Sequence, residues 1–347
     1  MNTYWPVYRR LEESTLHLAE MVRFNDEQLK IYSPFIGDLI VRCSIEIESL
    51  SKDLYTQLSG KSKILDTSTG HERNPYFDTD CLALLVDKWK IDKKKIQVTN
   101  HNMYFSKEKS ILMPLHKSHR RGTSGSNWKK AYQGIKHNRS QEITAANIEN
   151  LLSVLGALYI LNLYYKKESY WDNVPISMKK PYTNDSEIFT PFIYDATHIH
   201  MNVEMGDDYM DDVQSPTRQE CVYLKKFTNE NVREIHEIFC VAEYKSKHDV
   251  LFSKQYLDYI QTHGKNSEEK FNDILRKIGI DIAKVFRKNL NFGSTLSNLI
   301  STTEIVLNDE GQIYPRQTFD DFLQTDIAKK IENDAVEIFN RNGAKSI

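Results

Sequence analysis

The segment from Ile148 to Leu161 limits the fold more than any other stretch of this chain. Ile148, Leu151, Leu152, Leu155, Leu158, Tyr159 and Leu161 have helical spacing, yet they cover most of the helix circumference. A helix that is apolar on nearly every side is stable in water only at the centre of a bundle. The run from Leu151 to Tyr165 is interrupted by Ser153 and Asn162 and is too short to span a bilayer. A buried helix over residues 145–165 is therefore expected, without membrane insertion. A second long helix is predicted from Ser33-Pro34, a cap followed by proline in the first turn, to Gly60. Its apolar positions Ile36, Leu39, Ile40, Cys43, Ile47, Leu50, Leu54 and Leu58 keep helical spacing and leave Arg42, Glu46 and Lys52 on or near its flanks. Residues 33–167 are expected to form a helical bundle, and the fold class is mainly α.

The remaining segments divide the 347 residues into two expected domains. In domain 1–170, a short helix falls around Thr79 to Trp89, and the β-branched and aromatic residues near 95–115 predict a β-hairpin insertion. "HKSHRRGTSGSN" reads as a basic, glycine-containing loop. "NVPISMKKPYTNDS" resembles a linker, and 171–347 reads as a smaller α+β region of unknown role. There, "EIFTPFIYDATHIHMNVEM" and "ECVYLKKF" predict strands, and "TEIVLNDEGQIYP" predicts a hairpin. "NENVREIHEIFCVAEY", "EKFNDILRKIGIDIAKVFRKNL" and "FDDFLQTDIAKKIENDAVEIFN" predict amphipathic helices. Cys43, Cys81, Cys221 and Cys240 form no C-x-x-C pair, and the N-terminus has no apolar signal region, so a reducing, cytoplasmic setting is expected.

Charge is distributed unevenly. Between Val86 and Ser140 there are fourteen Lys or Arg and three acids, whereas the whole chain has a formal net charge of -2. Asp195 to Glu220 holds seven acids against Arg218. The basic block is either solvated surface that pairs within the fold or a surface for phosphates. Arg120, Arg121, Lys129, Lys136 and, from the other helix, Arg42 are its candidate RNA-binding residues. "WKKAYQGIKHNRSQEITAANIENLLSVLGALYIL" runs from this block into the apolar helix without a proline. That continuity predicts that His137 and Arg139 sit at the mouth of the buried helix, where its dipole also favours an anion.

The combination of a long helix carrying "IVRCSIEIESLSKDLY" with "WKKAYQGIKHNR" ahead of a buried helix resembles the HEPN superfamily. Its members are helical-bundle proteins common in bacterial toxin-antitoxin and antiphage systems. The resemblance covers about residues 33–167. It implies a metal-independent ribonuclease, a homodimer with two motifs facing one RNA cleft, RNA such as tRNA as substrate, and an antitoxin or other defence partner. The family motif places Arg, four to six residues and then His near the start of the last bundle helix. Counting back from His137, those positions hold Tyr132, Ala131 and Lys130, so Lys130 stands where the family has arginine. Lysine lacks arginine's bidentate fork, which Arg139 or Arg42 would have to supply. A literal match, Arg10 with His17, precedes the expected bundle.

Metal-free RNA cleavage requires proton transfer and neutralisation of charge on phosphate. His137 is the candidate acid or base, Arg139, Lys130 and Lys136 the candidate phosphate ligands, and Glu46 the candidate group that orients the imidazole. No metal or other cofactor is expected. His198 and His200, with Glu204 four residues on, have strand spacing for a metal, but paired histidines without a further ligand are expected to be structural. Asp207, Asp208, Asp211 and Asp212 lack EF-hand spacing and read as a solvated acidic loop. No Walker A loop, dinucleotide fingerprint or nucleophile elbow is present. The leading expectation is a HEPN-like endoribonuclease effector. The alternatives are a non-catalytic nucleic-acid-binding subunit and a protein-interaction module of a defence complex.

Overall fold

The computed structural model describes residues 2–66, 69–168, 170–171, 186–197, 216–263, 271–290, 293–309 and 323–343. The chain is mainly helical and divides into two compact units. Among the described residues the first comprises 2–196, 216–226 and 304–309, and so extends past residue 170; the second comprises 197, 227–303 and 323–343.

The first unit is built round four helices, α1 (Tyr4–Met21), α2 (Pro34–Gln57), α5 (Asn127–Glu142) and α6 (Ile148–Lys166), with the short α3 (Ala83–Trp89) and α4 (Lys107–Ser110) between them. The expected central helix is α6, and its residues from Leu151 to Leu161 are buried except Ser153. It is long and apolar enough to cross a membrane by length and composition, but here it lies 78% buried inside the fold. Asn147 caps it, accepting from the Asn150 amide at 3.0 Å, and Lys167 ends it in the left-handed region. The α2 helix begins as expected: the Ser33 hydroxyl accepts from the Ile36 amide and Pro34 occupies the first turn. Ile36, Leu39, Ile40, Cys43, Ile47, Leu50 and Leu54 are buried along one face. Backbone bonds from Ser33 to Ala146, from Ile148 to Ile31 and from Glu149 to Leu29 tie the start of α2 to the start of α6.

The α1 helix has no counterpart in the sequence expectations. Tyr8 stacks with Trp5 and with Tyr159 of α6, and Tyr159 stacks in turn with Phe189. The buried Glu12 carboxylate accepts from Tyr8 and from the Glu187 and Ile188 amides, which fastens the chain after residue 186 to α1. Small strands complete the unit. β1 (Phe24–Asn25) pairs in parallel with β5 (Met103–Tyr104), and β2 (Ile64–Leu65) pairs antiparallel with β3 (Glu72–Arg73). β4 (Ile96–Val98) lies antiparallel to both β6 (Ile111–Leu112) and β8 (Phe189–Pro191). The pairing of β4 with β6 matches the strands expected near 95–115, with α4 between them. A four-stranded sheet has the order β7 (Tyr170–Trp171), β11 (Thr303–Leu307), β10 (Tyr223–Phe227), β9 (Ile193–Asp195).

The second unit is helical: α7 (Asn229–Leu251), α8 (Lys254–His263), α9 (Phe271–Lys277), α10 (Ile282–Asn289), α11 (Ser294–Ser301) and α12 (Asp326–Gly343). Phe227, Val232, Ile235, Ala242, Leu290 and Leu296 form one apolar cluster, and Cys240, Ala328 and Ile331 form another. The single helix expected over "EKFNDILRKIGIDIAKVFRKNL" is two, because Asp281 caps a new helix through the Ala283 and Lys284 amides. The linker-like segment up to Asp185, His198, His200, Glu204, the Asp207 to Asp212 cluster and the second half of the expected hairpin lie outside the described residues.

Leu158 is fully buried in α6. Leu158→Ala should lower unfolding free energy by about 2–5 kcal/mol through cavity formation, as measured by urea denaturation. An unchanged midpoint would contradict the central placement of α6.

Candidate nucleic-acid interface

One buried carboxylate organises the basic loop. Asp78 sits in the π-helical turn Phe77–Leu82 ahead of α3, and only 4% of it is exposed. Arg121 grips it side-on: Nε lies 3.0 Å from both carboxylate oxygens and Nη2 2.9 Å from Oδ1. The Thr79 amide donates at 2.7 Å and Lys129 Nζ at 3.1 Å. Lys129 also donates to the Ser118 and Arg120 carbonyls, each at 2.7 Å. An ammonium has three donors, and these three acceptors use all of them, so the buried Lys129 is charged. Burial alone would raise the Asp78 carboxyl, but the hydrogen bonds from Arg121, Thr79 and Lys129 outweigh it and hold Asp78 below the ordinary carboxylate range. Burial pushes the Lys129 ammonium down against the pull of Asp78.

Around this anchor the exposed groups are fixed in place. Tyr76 lies between two guanidiniums, with Arg73 at 4.1 Å and Arg121 at 4.0 Å from its ring centroid. Arg73 is itself bidentate to Asp80, at 2.6 and 3.2 Å. The loop turns at Gly122, whose φ of +60° is in the region that glycine adopts without strain. Arg120 Nε donates to His119 Nε2 at 3.4 Å, which requires a neutral imidazole; burial, the largest influence on His119, pushes it the same way. A cleft of about 690 Å³ opens here, lined by Phe77, Asp78, Arg120, Arg121, Thr123, Lys129, Lys130 and Gln133 with the Gly122 and Gly125 backbone.

The structure thus gathers four of the expected residues, Arg120, Arg121, Lys129 and Lys130, at one cleft. Lys129 is spent on Asp78 and the loop carbonyls, so it holds the site together where the sequence reading had it facing RNA. The others are elsewhere. His137 is exposed on α5, and among the described residues its ring makes no hydrogen bond, including to Glu46, which is half-buried on α2. Arg139 pairs with Asp38 at 3.0 Å, both exposed. Lys136 donates to the Tyr132 hydroxyl at 3.4 Å, and Arg42 is exposed on α2.

The expected continuity from His137 into the buried helix is also corrected. α5 kinks at Asn138 (φ -149°, ψ 54°), a short 3-10 turn follows over Ile143–Ala145, and α6 begins afresh at Ile148. The chain folds back so closely that a Cβ on Gly134 would lie 3.0 Å from the Glu142 side chain. His137 therefore rides on α5 and not on the N-terminus of α6. On α5, Lys130, Gln133 and His137 follow at i, i+3 and i+7, which places them in one exposed stripe leading away from the cleft. Among the described residues, no group of three or more His, Cys, Asp or Glu is placed to hold a metal. Asp78, Tyr76, Phe77 and Gln133 were not read from the sequence. The one available signal for Asp78 was an acid in the turn before an apolar helix.

Comparison with protein families, curated proteins and solved structures finds no match to this chain.

Removing one member of a buried ion pair leaves the other uncompensated, so Asp78→Asn should cost about 3–5 kcal/mol of stability. Because its carboxyl is held low in the folded state, the contribution of Asp78 is complete above the unfolded value of about 3.9. It is lost as pH falls through the lower folded value. Below about pH 4 the parent should therefore lose stability more steeply than Asp78→Asn in acid titrations followed by circular dichroism. Parallel curves would contradict the anchor.

Proposed function

We propose that the first unit is a HEPN-like bundle that binds RNA along the basic cleft and the α5 stripe, and that His137 cleaves the bound strand without a metal. The observation that carries this reading is the convergence of Arg120, Arg121 and Lys130 on one cleft, with His137 further along the helix that carries Lys130. Phosphate binding by such exposed cations releases counterions and needs no base recognition. Arg139 is available to join them. Its pair with Asp38 is half exposed on both sides, and such pairs contribute about 0–1 kcal/mol, little enough for a phosphate to displace the carboxylate. The buried pair of Lys129 with Asp78 is not exchangeable in this way.

In the proposed reaction the neutral His137 imidazole takes the proton of a 2'-hydroxyl. The 2'-oxygen attacks the adjacent phosphorus, and the bond to the 5'-oxygen breaks. That oxygen takes a proton from water, and the hydroxide so formed recovers the proton held by His137, leaving a 2',3'-cyclic phosphate, a 5'-hydroxyl, water and the free imidazole. Exposed Lys136 and Arg139 flank the histidine in sequence and supply positive charge. The family resemblance adds the wider proposal of a cytoplasmic defence or toxin effector, dimeric and restrained by a partner protein.

A second reading, a non-catalytic RNA-binding subunit, is favoured by one observation: among the described residues no carboxylate orients the His137 ring. A cleavage assay on total RNA and tRNA in EDTA separates the two. His137→Ala should lower the rate by about 10² to 10⁴ with RNA affinity unchanged. Lys130→Ala should weaken binding and reduce the salt slope by about 1. Binding without cleavage by the parent would establish the second reading, and no binding at low salt would refute both.

A further inference from the structure

We infer that the cleft around Arg120 is a pocket for one nucleoside monophosphate, either free or as the phosphorylated end of a strand. This rests on the RNA reading of the same surface and names the ligand it recognises. The volume is the first argument: about 690 Å³ is the size of a small-molecule site, larger than a lone phosphate requires. The lining is the second. Four cationic side chains surround it against the single carboxylate of Asp78, which is already occupied by Arg121, Lys129 and the Thr79 amide.

Arg120 and Lys130 are exposed and supply positive charge. Arg121 supplies a fixed one. A guanidinium has five N–H donors, and the side-on grip on Asp78 engages Nε and Nη2, leaving the Nη1 donors outside that pair. Stacking on Tyr76 fixes the plane of the group, so little rotamer freedom remains to be lost when an anion binds. The α5 helix starts at the same place, between Gly125 and Lys129 of the lining, and the Ser126 side chain makes no capping hydrogen bond there. Positive charge and an uncapped helix start together favour a phosphate dianion.

The remaining lining suits the rest of a nucleotide and not an inorganic anion. Phe77 offers an aromatic wall for a base or sugar, and the Thr123 hydroxyl and Gln133 amide can each both donate and accept hydrogen bonds.

The experiment is isothermal titration of the full-length chain at low salt with AMP, adenosine and inorganic phosphate, beside RNA oligonucleotides bearing 5'-phosphate or 5'-hydroxyl. AMP should bind at least tenfold more tightly than either adenosine or inorganic phosphate. Arg120→Ala and Lys130→Ala should each weaken AMP by tenfold or more, with the far-ultraviolet circular dichroism spectrum unchanged. A 5'-phosphate that strengthens oligonucleotide binding tenfold, with AMP competing, assigns the pocket to strand ends. AMP binding without preference for phosphorylated oligonucleotides assigns it to free nucleotide. RNA binding with no AMP binding overturns the pocket and leaves the RNA reading standing, whereas AMP binding with no RNA binding does the reverse. AMP binding that neither substitution affects overturns the location.

Discussion

The Asp78 carboxylate is the constraint on which the basic surface depends. It joins its own turn before α3 to the loop at Arg121 and the first turn of α5 at Lys129, which lie 43 and 51 residues further along the chain. Besides its own short-range turns, the loop at 116–126 is held by this carboxylate, by the Lys129 bonds to the Ser118 and Arg120 carbonyls and by the stacking of Arg121 on Tyr76. Burying a carboxylate and an ammonium is costly, and the cost is offset here because each partner's hydrogen-bonding capacity is met. The result is a loop rich in cations with a fixed shape. An unanchored loop with the same composition would spread its charge over many conformations and pay ordering entropy on binding.

The same anchor divides the basic block into two kinds of residue. Lys129 and one edge of Arg121 face inward and support the structure. Arg120, Lys130 and the rest of Arg121 remain for ligands. Composition alone counts all of them equally. Elsewhere along α5 the exposed residues are held weakly or not at all, as with Arg139 against Asp38, and so remain able to exchange protein partners for phosphate.

Local signals made α2 and α6 legible. The Ser33-Pro34 start and the one-sided spacing of α2 are short-range features, and the all-round apolarity of α6 has one physical outcome. The break between α5 and α6 was obscured because apolar continuity from Ile143 outweighed the cap at Asn147 and the turn-forming Asn138, and the fold chose the caps. The helix α1 was hidden because its core contacts are aromatic rings stacked on partners such as Tyr159, more than 150 residues away. Asp78 was illegible for a similar reason: its partners lie 43 and 51 residues along the chain, and no local spacing links them. Of the site, the sequence showed the charge and the loop but not the carboxylate that shapes them.

The sign of one substitution distinguishes shape from charge. Asp78→Asn removes a negative charge from beneath a basic cleft, so a surface that attracts RNA by net charge alone must bind more tightly after the change. A cleft that depends on the carboxylate for its geometry must bind more weakly, because Arg121 and Lys129 lose their common acceptor. The measurement is RNA affinity of the folded Asp78→Asn protein against the parent at one fixed salt concentration. Weaker binding is the outcome expected from an organising carboxylate; equal or tighter binding would contradict it.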